Sequence, residues 1–97
     1  MPKGYWIAAY RAVSDPEVLV AYSKLAGPAV IAAGGRFLVR GTADYVHEAG
    51  IKERTIIVEF ESLDKAIAAR ASPEYQAALA VLADAVERDV RIVSGVD

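Results

Sequence analysis

Arg36 and Arg40 stand four residues apart in a strand-like run, with Leu38 between them. On a regular strand that spacing puts both guanidinium groups on one face. Glu59 lies in the run expected to pair beside them. Guanidinium forks hold carboxylates and other oxyanions at two points, so Arg36, Arg40 and Glu59 form a candidate anion clamp. The plainer reading is an ion pair that orders the sheet or a subunit boundary, and the pattern favours it. His47 is the single histidine, and its unperturbed pKa suits a general base near neutral pH. Its place near a hairpin end favours a surface role. Tyr5, Trp6, Tyr10 and Tyr75 are the aromatic groups that could line a pocket for an aromatic ligand. Rings at strand and helix spacing are more often core, with Tyr75, just after a helix start, the strongest exception.

Other chemistries are excluded or unsupported. The 97 residues contain no cysteine, so thiolate nucleophiles, disulfides and cysteine metal sites are absent. One histidine cannot build a nitrogen-ligated metal site, and no metal or cofactor is expected. Gly34-Gly35 follows a helix and opens a strand, the reverse of a phosphate-binding loop. No serine lies in a nucleophile-elbow motif. Eleven basic and thirteen acidic side chains give a formal net charge of -2, which offers no general attraction to nucleic acid or anionic lipid. Apolar stretches such as Ala29 to Ala33 are too short to span a bilayer. The N-terminal residues carry no apolar signal core, and a cytoplasmic location is expected.

The elements that must position these residues follow a β-α-β-β-α-β order in one domain, residues 1–97. The first strand is predicted over 4–12. Ser14-Asp15-Pro16-Glu17 starts a helix, with Ser14 or Asp15 as cap and proline at the first helical position. Val18, Tyr22, Leu25 and Ala29 form its apolar stripe. Pro28 predicts a kink or break, and Gly34 or Gly35 ends the helix. The second strand is predicted over 36–46, with a bulge or bend at Gly41. Residues 48–53 form a polar hairpin connection. The third strand runs over 54–61, placing Ile56, Val58 and Phe60 on one face. Ser62 caps a short helix, and Ser72-Pro73-Glu74 restarts a helix in a new direction. Tyr75, Leu79, Leu82 and Val86 are its predicted stripe. The fourth strand covers 88–94, with Val90 and Ile92 on one face.

Right-handed crossovers turn this order into an α+β, ferredoxin-like four-stranded antiparallel sheet with the helices on one face. RNA-recognition modules share the order, but Arg54 to Phe60 lacks their glycine-aromatic signature, so nucleic acid is not an expected partner. The uncovered sheet face should be polar. Instead the first and third strands carry apolar or aromatic groups on both faces. A second copy of the chain is the simplest cover, and a homodimer is expected.

Four segments carry a family resemblance: Gly4-Tyr5-Trp6-Ile7-Ala8, Gly34-Gly35-Arg36-Phe37-Leu38-Val39-Arg40-Gly41, Ile57-Val58-Glu59-Phe60 and Ser72-Pro73-Glu74-Tyr75-Gln76. In this order the chain resembles the domain of unknown function 1330 family, within the dimeric α+β barrel superfamily. The resemblance implies a ferredoxin-like subunit whose sheet packs on a partner's sheet. It also implies Arg40, before Gly41 in the second motif, as the leading ligand contact. Superfamily relatives include cofactor-free monooxygenases, muconolactone isomerases, haem-degrading enzymes and ligand-sensing domains, and fold does not select among them. Two segments depart from the family pattern. Ala68-Ala69-Arg70-Ala71 stands where many members carry an aromatic pair, and Glu48-Ala49-Gly50-Ile51-Lys52 lacks a frequent tryptophan. The expectation is a homodimer with a modest pocket between helices and sheet, binding a small aromatic or carboxylate-bearing metabolite. Its action would be of the monooxygenase or isomerase type. The alternative is a non-catalytic ligand sensor or interaction module.

Overall fold

The computed structural model describes residues 2–96. Elements follow in the order β1 (Gly4–Val13), α1 (Pro16–Ala32), β2 (Arg36–Thr42), β3 (Arg54–Phe60), α2 (Leu63–Arg70), α3 (Pro73–Leu82) and β4 (Val86–Ser94). The strands form one sheet in the order β2-β3-β1-β4, with every neighbouring pair antiparallel. This is the ferredoxin-like arrangement, with all three helices on one face of the sheet.

Local chemistry sets most of the boundaries. Asp15 caps α1, its Oδ1 accepting from the Val18 amide at 3.3 Å, and Pro16 opens the first turn. Of the kink or break predicted at Pro28, the break does not occur, and α1 runs unbroken through it. Pro28 lies on the exposed side of the helix, where the carbonyl it leaves unpaired faces water, while Tyr22, Ala26, Ala29 and Val30 hold the other side. Gly34, at φ +93°, ends the helix. Gly35 then passes so close to the core that a Cβ there would sit 2.6 Å from Val30 Cγ1 and 2.9 Å from Phe60 Cζ. Ser62 and Ser72 cap α2 and α3, each accepting an amide three residues on.

Several expectations need correction. The buried stripe of α1 uses Ala26 where Leu25 was expected, and Leu25 is 47% exposed. Val86 begins β4 instead of continuing a helix, because α3 stops at Leu82 and Ala83 takes φ +48°. The second strand ends at Thr42, and residues 43–53 form a longer connection with Glu48 at φ +53°. Gly41 pairs regularly with Thr55, and the strand irregularity lies instead between Phe37 and Val39.

The core lies between the helices and the sheet. Trp6, Val58 and Phe60 rise from the strands to meet Tyr22, Ala29 and Val30 of α1 and Ala66, Tyr75, Ala78 and Leu82 of α2 and α3. Alanine is frequent on the helix side, which lets the helix backbones approach the aromatic strand residues closely. Trp6 Nε1 donates to the Ala66 carbonyl at 2.7 Å, satisfying the one polar atom that this buried ring carries.

Candidate functional site

A cavity opens between α1, the α2–α3 junction and the helix-facing side of the sheet. Ala8, Ile56 and Val58 form its floor, and Ala26, Gly27 and Val30 of α1 form its roof. Its water-accessible interior is about 50 Å³, and about 540 Å³ once the open space at its mouth is included. Small residues leave this space. Gly27 inside a helix costs roughly 0.5–1 kcal/mol relative to alanine. Arg40 Nη2 lies 3.9 Å from where a Cβ on Gly27 would stand, so the helix backbone at Gly27 passes within van der Waals reach of the guanidinium.

Three guanidinium groups line this one cavity. Arg40, from β2, stacks on the Phe37 ring at 3.7 Å from its centroid. Arg70, in the last turn of α2, donates to the Tyr75 hydroxyl at 3.4 Å. Arg88, from β4, donates through Nη1 to Tyr10 at 3.0 Å and Tyr22 at 3.3 Å. The Tyr22 and Tyr75 hydroxyls hydrogen-bond one another. Trp6 packs its ring edgewise against Tyr75, with centroids 4.9 Å apart.

Among the described residues no aspartate, glutamate or histidine lines the cavity. The ion pairs among the described residues lie elsewhere, at Glu59, Glu61 and Asp89. Burial pushes the Tyr22 phenol well above its ordinary range. Tyr75 adds to that rise and Arg88 opposes it. Burial alone would lower Arg88, but the Tyr22 and Tyr10 oxygens more than offset this and leave it raised. At neutral pH Tyr22 is therefore a neutral phenol beside the charged Arg88 guanidinium. Such a set donates hydrogen bonds to an anion and stacks on a flat ring. It contains no side chain ready to accept a proton.

The sequence-predicted residues divide between two places. Arg40 and Tyr75 meet at the cavity, with Trp6 and Tyr10. Arg36 and Glu59 do not join them. The irregularity at Leu38 shifts the alternation of β2, so Arg36 pairs with Glu59 and Arg40 with Ile56, on opposite faces. The same-face expectation therefore fails. Arg36 meets Glu59 at 3.4 Å on the open sheet face, where Lys3 and the Tyr5 hydroxyl also reach the carboxylate. His47 is exposed in the 43–53 connection and does not line the cavity.

Arg70, Arg88 and Tyr22 were not singled out as site residues. Arg88 carried a signal, because it shares the phase of Val90 and Ile92, so its charge falls on the side of β4 that faces the core. Among the described residues no group of three or more His, Cys, Asp or Glu is placed to hold a metal ion. No helix of theirs is long and apolar enough to cross a membrane.

Solved structures share this fold at low identity. A protein of unknown function from Rhodopseudomonas palustris matches with a TM-score of 0.74 at 16% identity, covering 99% of this chain and 84% of that one. A dimeric ferredoxin-like protein of unknown function from Thermobifida fusca matches with a TM-score of 0.65 at 24% identity, covering 96% and 91%. SnoaB, a cofactor-independent oxygenase from Streptomyces nogalater, matches with a TM-score of 0.68 at 9% identity, covering 100% and 96%. These likenesses establish the fold and nothing finer. No curated protein matches the chain. The model of one family matches residues 3–96, almost the whole sequence, and the chain accordingly belongs to the family described as Domain of unknown function (DUF1330).

Proposed function

We propose that this protein binds a small anionic metabolite with a flat apolar body in the cavity between helices and sheet. One observation carries the reading: Arg40, Arg70 and Arg88 line a single cavity, and no carboxylate of the described residues lines it with them. Three like charges without a counter-charge create a positive potential in an otherwise acidic chain, and low-dielectric walls focus it. An anionic ligand neutralises that potential. Trp6, Phe37 and Tyr75 offer ring faces and edges to its body.

The absence of a carboxylate or imidazole in the lining favours the non-catalytic form of this reading, a ligand sensor. Turnover of the cofactor-free monooxygenase or isomerase type rests on fold likeness to proteins such as SnoaB. We also propose that the working unit is a homodimer closed through the open sheet face. That face presents Tyr5, Ile7, Ile57, Val39 and Val93, the last two 41% and 39% exposed. Sheet-on-sheet packing would bury this patch, and the Thermobifida neighbour is described as dimeric.

Calorimetric titration with benzoate and with neutral benzamide tests the binding reading. Benzoate should bind more tightly than benzamide. Arg40→Met should weaken benzoate roughly 10- to 100-fold, the range of one charge-assisted contact, and leave benzamide unchanged. Equal affinity for the two compounds in the wild-type protein would refute the reading.

A further inference from the structure

The three guanidinium groups do not converge from one side. β2 and β4 are the two edge strands of the sheet, with β3 and β1 between them. Arg40 rises from β2 and Arg88 from β4, so three strand spacings, roughly 14 Å, and an offset of two residues along the strand separate their backbones. Both nevertheless line the same cavity. Between them, on the same side of the sheet, lie Ile56 of β3 and Ala8 of β1, which share a register row with Arg40. The cavity floor is thus cationic at one end, apolar in the middle and cationic at the other.

The two ends also differ in their hydrogen-bonding groups. Arg40 is held at its end by the Phe37 ring alone, which leaves its donors uncommitted to protein side chains. At the other end Arg88 commits only Nη1 to Tyr10 and Tyr22. Its remaining donors have no side-chain partner among the described residues. Arg70 enters from above and holds the Tyr75 hydroxyl at the same end as Tyr22. A ligand with one acidic group could neutralise one end and would leave the other uncompensated.

Resting on the anion-binding reading above, we infer that the ligand class is a dianion with its two acidic groups at opposite ends of an apolar spacer, as in a small dicarboxylate. One carboxylate meets Arg40. The other meets Arg88, with Arg70 beside it. The spacer crosses Ala8 and Ile56 alongside Trp6 and beneath Tyr75. A doubly charged group at a single end does not match this layout.

Isothermal titration with matched pairs tests the inference. Terephthalate is compared with its monomethyl ester, which keeps the length and loses one charge. Adipate is compared with its monomethyl ester as a flexible pair. Phenyl phosphate places two charges at one end. In at least one pair the diacid should bind ten times or more tightly than the monoester, and more tightly than phenyl phosphate. Arg88→Met should bring diacid and monoester to equal affinity, and Arg40→Met should do the same. Arg88→Lys, which keeps a cation in place, covers the case in which Arg88→Met does not fold, and should retain part of the preference. A ratio below ten in both pairs, or phenyl phosphate matching the better diacid, overturns the inference. If the diacids, monoesters and benzoate all bind alike, the anion pocket stands and only its two-ended form falls. If none binds, both readings fall.

Discussion

The two faces of the sheet treat their arginines in opposite ways. On the open face Arg36 meets Glu59 at 3.4 Å and Arg91 meets Asp89 at 3.1 Å. On the helix-covered face the side-chain partners of Arg40, Arg70 and Arg88 among the described residues are aromatic rings and tyrosine hydroxyls. A carboxylate neutralises a guanidinium in place, and such a pair asks nothing of a ligand. A phenol orients a guanidinium and leaves its charge intact. A net charge of -2 conceals this division, because the acidic groups of the described residues lie outside the cavity. What marks the candidate site is local imbalance, and the balanced face is better suited to meeting another protein surface.

The sharpest way to break the comparison is at Ile57, in the middle of the open face. Ile57→Lys would place an unpaired charge in the proposed dimer contact, with a penalty of roughly 3–5 kcal/mol. The dimer should weaken on the order of a thousandfold, read by sedimentation equilibrium, while far-UV circular dichroism stays the same. A wild-type protein that sediments as a monomer at micromolar concentration would remove the dimer from the account.

A smaller effect separates the faces by pH. The Tyr22 phenol is held above its ordinary value, mainly by burial. Below about pH 10 it is neutral both folded and unfolded, and contributes no pH dependence. Above about pH 10 the unfolded chain loses this proton first, so stability falls as pH rises towards the folded value. Tyr22→Phe should flatten that fall, by roughly 1 kcal/mol at pH 11 in urea titrations. Identical alkaline slopes for the two proteins would mean that Tyr22 is not desolvated as described.

The smallest effect belongs to Arg36. Its side chain is 73% exposed, so breaking its pair with Glu59 by Arg36→Met should change stability by less than about 1 kcal/mol. Benzoate affinity should not change. A loss as large as that for Arg40→Met would place Arg36 in the same site and undo the distinction between the faces.

Much of this fold was legible because its boundaries are set by neighbouring residues. Asp15-Pro16, Ser62 and Ser72-Pro73 cap helices within three residues, and Gly34 takes the left-handed angle that ends α1. The site was legible only in part. Arg40 and Tyr75 were found, but the partnership of Arg40 with Arg36 was not real, because two-residue alternation carries no sign of a bulge. Gly41 looked like the irregular position, yet the register slips at Leu38, where the edge strand has no pairing partner on its outer side. Arg88 was readable from its phase with Val90 and Ile92. Arg70 and Tyr22 reach the cavity through the crossing of α1 with the α2–α3 junction, a tertiary arrangement that no local spacing encodes. Val86 misled for a related reason. It continues the spacing of α3, but the turn at Ala83 redirects the chain into β4.

The central claim is that unneutralised guanidinium groups make the helix-covered cavity, and not the open face, the ligand site. Nuclear magnetic resonance titration with benzoate tests it directly, following arginine Nε–H and the Trp6 indole N–H. The account predicts saturable shifts for Arg40, Arg70, Arg88 and Trp6, with Arg36 and Arg91 unmoved. Shifts confined to Arg36 and Arg91, or none at millimolar benzoate, would contradict it.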